Sequence, residues 1–254
     1  MAPLYAQRPI AIGCLLLGND LMPIRLGCIG AKKHGNDDRK ILSDWADYMA
    51  RERPVIVSWN GRGFDLPVLM LRSFRWGIPL RWYFAEKNYR YRYSEDNHID
   101  LMDVMSDYGA AGRKGFKLDG LARAIGLPGK YGIDGSLVQR YYEDGRLDEI
   151  ETYCLTDVIQ TSFVFLRWLL VKGKIELSAY QRSAAALYEH CLKESRFHSF
   201  VELIDHTALV LESPPMEDQP PSSDTSDTSD TSSTSSTSSN QAPSSSTNIP
   251  SEAQ

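Results

Sequence analysis

The stretch Val55-Ile56-Val57-Ser58-Trp59-Asn60-Gly61-Arg62-Gly63-Phe64-Asp65-Leu66 narrows the folds open to this chain more than any other. The apolar run from Val55 to Trp59 reads as a short buried strand. It ends in Asn60-Gly61-Arg62-Gly63, a turn whose two glycines are each free to take positive φ. Phe64 and Asp65 open a segment with helical spacing. Pro67 stands near its first turn, where a missing N–H costs nothing. A carboxylate is thereby held at the carboxyl end of a strand, where open α/β sheets place their ligand sites.

The rest of the chain supplies elements of both kinds. Arg8 to Leu17 and Met22 to Gly30 read as two strands joined at Gly18-Asn19-Asp20, a β-hairpin. Ile41, Leu42, Trp45, Tyr48 and Met49 have helical spacing. After the Val55 strand, Leu66, Leu69, Met70, Ser73 and Phe74 share a helix face that Gly77 and Pro79 terminate. His98 to Val104 reads as a strand end running into a helix, and Gly109 to Gly115 as a glycine-rich loop. Leu118 to Ile125 is an amphipathic helix capped by Gly126, and a turn-rich connection follows from Pro128 to Ser136. Val138 to Glu143 is a short helix, and Ala179 to Ser195 a later one; residues 196–212 are open between helix and strand. Leu147 to Lys172 is the strongest helix, with Leu147, Ile150, Cys154, Val158, Thr161, Phe165 and Trp168 on one face.

The folded part is expected to end near residue 212. From Ser213 to Gln254 the chain has no Lys, Arg, Trp, Tyr or Phe, and it contains the tandem Asp224-Thr225-Ser226-Asp227-Thr228-Ser229-Asp230. Such a segment buries too little apolar surface to offset its ordering entropy, so it is expected to be a disordered, solvating tail. It holds six acids (Glu217, Asp218, Asp224, Asp227, Asp230 and Glu252). Removing these from 33 leaves residues 1–212 with 27 Asp+Glu against 28 Lys+Arg, a net charge of +1. The acidity of the whole chain therefore belongs to the tail, and any nucleic-acid binding must come from local clustering. Cys14, Cys28, Cys154 and Cys191 show no C-x-x-C spacing and read as buried free thiols in a reducing compartment. No run approaches the length of a membrane span, and the N-terminus has no signal-peptide pattern. The expectation is a soluble cytoplasmic protein without a membrane partner.

Residues 72–93 form one such cluster. Arg72, Arg75, Arg81, Lys87, Arg90 and Arg92 interleave with Trp76, Trp82, Tyr83, Phe84, Tyr89, Tyr91 and Tyr93, and Glu86 is the sole acid. Guanidinium groups for phosphates and flat rings for bases are what single-strand binding uses. The alternative is an aromatic-rich loop packed on the core.

On the long helix Tyr153 and Asp157 stand at i and i+4 and share a face. An ionised Asp beside a core needs a partner. If this helix crosses the end of the Val55 strand, Asp65 and Asp157 converge, and two carboxylates suit a hard cation such as Mg²⁺ or Mn²⁺. Paired ions roughly 3.5–4 Å apart can clamp the attacking and leaving oxygens of a phosphoryl displacement. The alternatives are that Asp65 caps its helix and that Asp157 pairs with an arginine.

Asn60-Gly61-Arg62-Gly63-Phe64-Asp65 resembles the second exonuclease motif of the proofreading 3′–5′ exonucleases of family-B DNA polymerases. Tyr153-Cys154-Leu155-Thr156-Asp157 resembles their third. His98-Ile99-Asp100-Leu101-Met102-Asp103, Gly126-Leu127-Pro128-Gly129-Lys130 and Tyr153 to Thr161 are similar to one bacterial subgroup, the stand-alone predicted 3′–5′ exonucleases related to that domain. The likeness covers about residues 8–172. It implies an α/β, ribonuclease-H-like mixed sheet flanked by helices, with four acidic ligands and a Tyr around two Mg²⁺ or Mn²⁺ ions. The implied activity is removal of nucleotides from a 3′ end, single-stranded or frayed DNA rather than RNA. By position, Asp65 and Asp157 become metal ligands, Tyr153 positions the nucleophilic water, and Asn60 and Phe64 line the path of the 3′-terminal nucleotide. His98, Asp100 and Asp103 match a family-typical patch without a role that chemistry assigns. For Asp100 a helix N-cap is favoured over a supporting carboxylate.

The family's first motif, Asp-x-Glu on a central strand, has no counterpart in this sequence. Two of four ligands and that strand are therefore expected to be missing, leaving the hairpin and the Val55 strand facing a gap, ~4.8 Å to either side of the absent strand. Three readings stay open: a longer active protein whose start lies upstream, an inactive truncation, or a hairpin shifted into the gap on a binder without catalysis. Residues 1–254 as written are expected to hydrolyse feebly at most. An interaction protein whose Ser/Thr tail recruits a partner is the reading from another class.

Overall fold

The computed structural model describes residues 3–112, 115–133 and 135–212. The chain divides into Met1–Ser213 and Pro214–Gln254. The expected tail thus lies outside the described residues, as do positions 113, 114 and 134 of the expected loops.

The fold is mixed α/β and mostly helical, with two small sheets. Strands β1 (Ala11–Leu17) and β2 (Pro23–Gly30) make the expected antiparallel hairpin, with Ala11 opposite Gly30 and Leu15 opposite Leu26. A one-turn helix α1 (Ala31–His34) leads to α2 (Asp38–Glu52), whose Asp37 side chain caps the Lys40 N–H. Strand β3 (Ile56–Ser58) and helix α3 (Asp65–Trp76) then follow. Helix α3 stops at Gly77, which takes the left-handed φ of 65° that such a cap requires. Short helices α4 (Arg81–Ala85) and α5 (Lys87–Arg90) precede strand β4 (His98–Asp100), which runs directly into α6 (Leu101–Met105). Helices α7 (Leu118–Ala124), α8 (Val138–Glu143), α9 (Leu147–Val171) and α10 (Leu177–Leu192) complete the larger frame. Residues 196–212, open at the level of sequence, hold α11 (His198–Val201) and α12 (His206–Val210).

Strands β3 and β4 pair in parallel, Ile56 with His98 and Ser58 with Asp100. No ladder among the described residues joins this pair to the β1–β2 hairpin. Strand β3 is half-buried rather than buried: among the described residues it pairs on one edge, and Val55 just before it is 52 % exposed. Helix α9 touches both sheets. A Cβ on Gly13 of β1 would come within 2.9 Å of Cys154 Sγ and 3.1 Å of Val158 Cγ2, so the hairpin lies close against the helix. Further along, Val164 and Phe165 cluster with Ile99 and Leu101, with Val57 and Trp59 packed against them. On another side Leu155, Ile159, Phe163 and Leu166 meet α7, α10, α11 and α12 in the largest core cluster.

Three expectations are corrected here, and the two readings of the 72–93 cluster are divided between its residues. The fully buried line of α9 is Leu155, Ile159, Phe163 and Leu166, not the face through Cys154, Val158 and Thr161. The cause is that helices and a strand cover different sides of it. Helix α9 is also long and apolar enough to cross a membrane, with mean hydropathy 1.4 in its richest window, whereas no such run was expected; 44 % of that window is buried inside the protein. Cys14 is exposed, because it lies on a two-stranded hairpin with an open face; only Cys191 is fully buried. In the 72–93 cluster, Trp82 and Tyr89 are buried among Trp45, Met49, Leu66 and Leu69, and Arg72 is buried against Asp38. Those three serve packing, while Phe84, Tyr91 and Tyr93 remain exposed.

Candidate active site

The parallel register of β3 and β4 brings two chain segments out at one end of the pair. One is the Asn60–Phe64 turn and the other is Asp100. Asp100 is 2 % exposed, and its carboxylate accepts from the Asn60 N–H through Oδ1 and from the Arg62 N–H through Oδ2, both at 2.9 Å. It also occupies the N-cap position of α6, where the Asp103 N–H acts on it. To the expected helix cap the structure thus adds a second task, holding the turn. Burial raises the Asp100 carboxyl above its usual range, and the N–H groups of Arg62, Asn60 and Asp103 pull the other way.

Neither Gly61 nor Gly63 has positive φ; Asn60 does, at 58°. The glycines are needed for space instead. A Cβ on Gly61 would overlap the Ser58 hydroxyl and lie 2.6 Å from Ser58 Cβ, and one on Gly63 would overlap the Asn60 side-chain oxygen. The Asn60 carbonyl accepts from the N–H groups of Gly63 (3.1 Å) and Phe64 (3.0 Å), which turns the chain into α3 with Phe64 at its cap and Asp65 as its first residue. The Arg62 guanidinium donates to the carbonyls of Tyr89 (3.0 Å) and His98 (2.8 Å), tying the same turn to α5 and β4. Beneath it Ser58 Oγ and His98 Nε2 lie 2.8 Å apart. Burial first, and the Arg62 charge second, push His98 down to about 3, so its imidazole is neutral at pH 7.

Helix α9 brings the other expected residues to this place. Asp157 and Asp100 both lie near enough to Asp65 for their charges to push its carboxyl up. Crowding by protein is the larger cause, and the result is about 6. Asp65 nonetheless keeps an exposed flank. Asp157 is half-buried and is also raised to about 6 by burial, against a hydrogen bond from Tyr153 one helical turn earlier. The charge of Asp157 thus reaches Asp65, with Asn60 and Phe64 in the turn before Asp65 and Tyr153 one helical turn before Asp157. Among the described residues no Lys or Arg forms an ion pair with either carboxylate, so the alternative of an arginine partner for Asp157 is not realised there. No group of three or more His, Cys, Asp or Glu suited to a metal occurs among the described residues.

Sequence reasoning missed Arg62 and the task of Asp100. The only signal was a carboxylate at a strand-to-helix junction, and its partner depended on a pairing that spans forty residues. Asp103, also in that patch, is 1 % exposed and takes both Nε (3.0 Å) and Nη2 (2.9 Å) of Arg92, a bidentate pair.

Two uncompensated carboxylates with raised pKa, one on a strand-to-helix turn and one beside a tyrosine, can receive a hard divalent cation through oxygen ligands. Mg²⁺ is commonly held by one or two carboxylates with water and substrate phosphate completing the shell, so this donor set fits such an ion.

Residues 1–205 match the family described as predicted 3′–5′ exonuclease related to the exonuclease domain of PolB. Over 135 residues the chain is 28 % identical to a DNA polymerase of Archaeoglobus fulgidus; the match covers 50 % of this chain and 17 % of the polymerase. The chain thus spans about a sixth of the length of that relative. No solved structure gives a significant match. With its family match running through both the Asp65 turn and the Tyr153–Asp157 helix, the chain belongs to the predicted 3′–5′ exonucleases related to the exonuclease domain of PolB.

Proposed function

We propose that the chain acts at the 3′ end of a nucleic acid, with Asp65 and Asp157 as the seat of a divalent cation, Mg²⁺ or Mn²⁺. The observation that carries this reading is the convergence of those two carboxylates. Both are raised to about 6, and neither has a cationic partner among the described residues. Bound there, a divalent ion supplies positive charge against a phosphodiester and acidifies a water. The chain's own part is positional. The Asn60–Phe64 turn, fixed by Asp100 and Arg62, sets the Asp65 carboxylate and offers Asn60 and Phe64 to the terminal nucleotide. Tyr153 steadies Asp157 and orients the attacking water. The substrate is a single-stranded or frayed 3′ end, DNA rather than RNA.

A two-ion mechanism asks for more oxygen ligands than two carboxylates provide, so residues 1–254 alone are expected to turn over slowly. Purified chain should shorten a 5′-labelled single-stranded DNA from its 3′ end with Mn²⁺, and Asp157→Ala should not. Degradation that continues in Asp157→Ala rejects this site. The second reading, a nucleic-acid binder without catalysis, draws on that same ligand count. Under it the strand is retained on a filter, and none is cut at any Mn²⁺ concentration.

A further inference from the structure

Next to the Asp65 turn lies a cleft of about 290 Å³, lined by Arg62, Arg90, Arg92 and Asp103 together with Met70 and Tyr83. Three guanidinium groups face one carboxylate. Asp103 is committed to Arg92 by the bidentate pair described above. Among the described residues the Arg62 guanidinium bonds main-chain carbonyls, and its Nε is buried without a hydrogen-bond partner there. The nearest carboxylates that act on Arg62 are Asp100, whose two oxygens serve backbone N–H groups, and Asp103. Among the described residues Arg90 reaches the Phe84 carbonyl, at 3.3 Å, and lies over the Phe84 ring. The lining thus has a net charge of about +2 and an apolar wall from Met70 and Tyr83. A phosphate ester carrying an apolar group matches both.

A second feature adjoins it. The third contact of Arg92 is a hydrogen bond to the Tyr108 carbonyl, 2.7 Å. Tyr108 and its neighbour Asp107 have φ of 52° and 47°, two successive non-glycine residues in the left-handed region. That conformation is uncommon and strained for residues other than glycine, and such outliers gather at ligand sites. Its result is a set of rings: Tyr108 meets Tyr93 at 4.8 Å between centroids, and Tyr93 meets Tyr91 at 5.8 Å. Tyr91 and Tyr93 are about half exposed, at 49 % and 57 %. Rings used for packing from the same stretch, Trp82 and Tyr89, are wholly buried, so these two are held at the surface by a separate arrangement.

We propose that the Arg62–Arg90–Arg92 cleft and the Tyr91, Tyr93 and Tyr108 rings form one tract for a single-stranded nucleic acid. A phosphodiester is held in the cleft by Arg62 and Arg90, and a neighbouring base stacks on the tyrosines. Gly63 and Pro67 also line the cleft and flank Asp65 in sequence. The tract therefore takes the strand as it approaches the turn; that direction rests on the functional reading above, whereas the binding itself does not. Its specificity is for strand and backbone rather than sequence, since every base presents a stacking face.

The test is fluorescence anisotropy of a 5′-fluorescein-labelled oligothymidylate with the full chain in EDTA, so that no cutting intervenes. Wild type is expected to bind, and more weakly as KCl rises. Arg90→Glu should weaken binding about tenfold or more and flatten the salt dependence by about one phosphate contact. The double variant Tyr91→Ala/Tyr93→Ala should weaken it by at least about tenfold. Both changes are at exposed positions, and an unchanged melting temperature certifies the fold. Thymidine monophosphate should compete more strongly than inorganic phosphate. Unchanged affinity in both variants, no binding by wild type, or equal competition by inorganic phosphate with the tyrosine variant unaffected each overturns the tract. None of these results bears on Asp65 and Asp157, whose reading is decided by 3′ shortening and its loss in Asp157→Ala.

Discussion

Asp100 is the residue on which the geometry of the site turns. It is buried, its oxygens accept from the N–H groups of Asn60 and Arg62, and that turn delivers Asp65. Charge-assisted bonds of this kind are each roughly twice as strong as neutral ones, and a donor left unpaired in a buried place adds its own penalty. Asp100→Ala is therefore expected to cost about 3 kcal/mol in urea denaturation. Asp100→Asn, which presents one acceptor and one clashing amide, should fall between. A loss below about 1 kcal/mol for Asp100→Ala would show that the turn stands without it. Gly61 is constrained in the same place by Ser58, whose Cβ an alanine side chain would approach within 2.6 Å. Conformational freedom was the sequence-level reason for that glycine. The structure gives room as the reason, and left-handed φ falls instead on Asn60, a residue type that tolerates it.

At the scale of elements, α3 is oriented by a buried ion pair. Arg72 on α3 donates through Nε to Asp38 Oδ2 at 2.9 Å, and both residues are under a tenth exposed. Removing one partner leaves a buried uncompensated charge, whereas removing both leaves none. Arg72→Met should lower stability by about 3–5 kcal/mol, and Arg72→Met/Asp38→Leu should recover most of that loss; a double variant as unstable as the single one refutes the pairing. This pair also explains why Phe74, assigned to the apolar face by spacing, is 86 % exposed: the helix is rotated so that Val68 and Arg72 are buried beside Leu69 and Ser73. Elements were legible in the sequence where local chemistry marks them, as at the Gly77 cap and the Gly18-Asn19-Asp20 turn of the hairpin. Which side each element buries was not, because that is decided by neighbours distant in the chain. Helix α9 has neighbours on several sides, so a single apolar stripe misjudged it.

The whole molecule matters to the site because its two acids come from separate regions. Asp65 begins α3 and Asp157 sits midway along α9, and they meet because α9 packs on both the β1–β2 hairpin and the β3–β4 pair. The proposal for these two acids draws on local signals, a tight turn after a strand and a Tyr four residues before an Asp. The cleft with Arg62 and the Asp100 anchor was not legible in the sequence, since parallel pairing of β3 with β4 creates both. The meeting of Asp65 and Asp157 has a measurable consequence. Folding raises both carboxyls from near 4 to about 6, so the folded chain keeps protons that the unfolded chain has released. Their contribution to stability is full below about pH 4 and is lost as pH rises through about 6. Above that, two carboxylates are held charged against their burial, and on the proposed reading a divalent cation would relieve them by binding the folded form alone. In EDTA, Asp157→Asn should therefore melt about 2–6 °C higher than wild type at pH 7.5 and near wild type at pH 4. Mn²⁺ should raise the wild-type melting temperature at pH 7.5, do little at pH 5, and leave Asp157→Asn unmoved at both. Asp100 and Glu151 shift in the same direction, so the variant comparison, not the raw pH curve, isolates the pair. An equal Mn²⁺ effect in Asp157→Asn would put the cation elsewhere on the chain and detach the metal from these two acids.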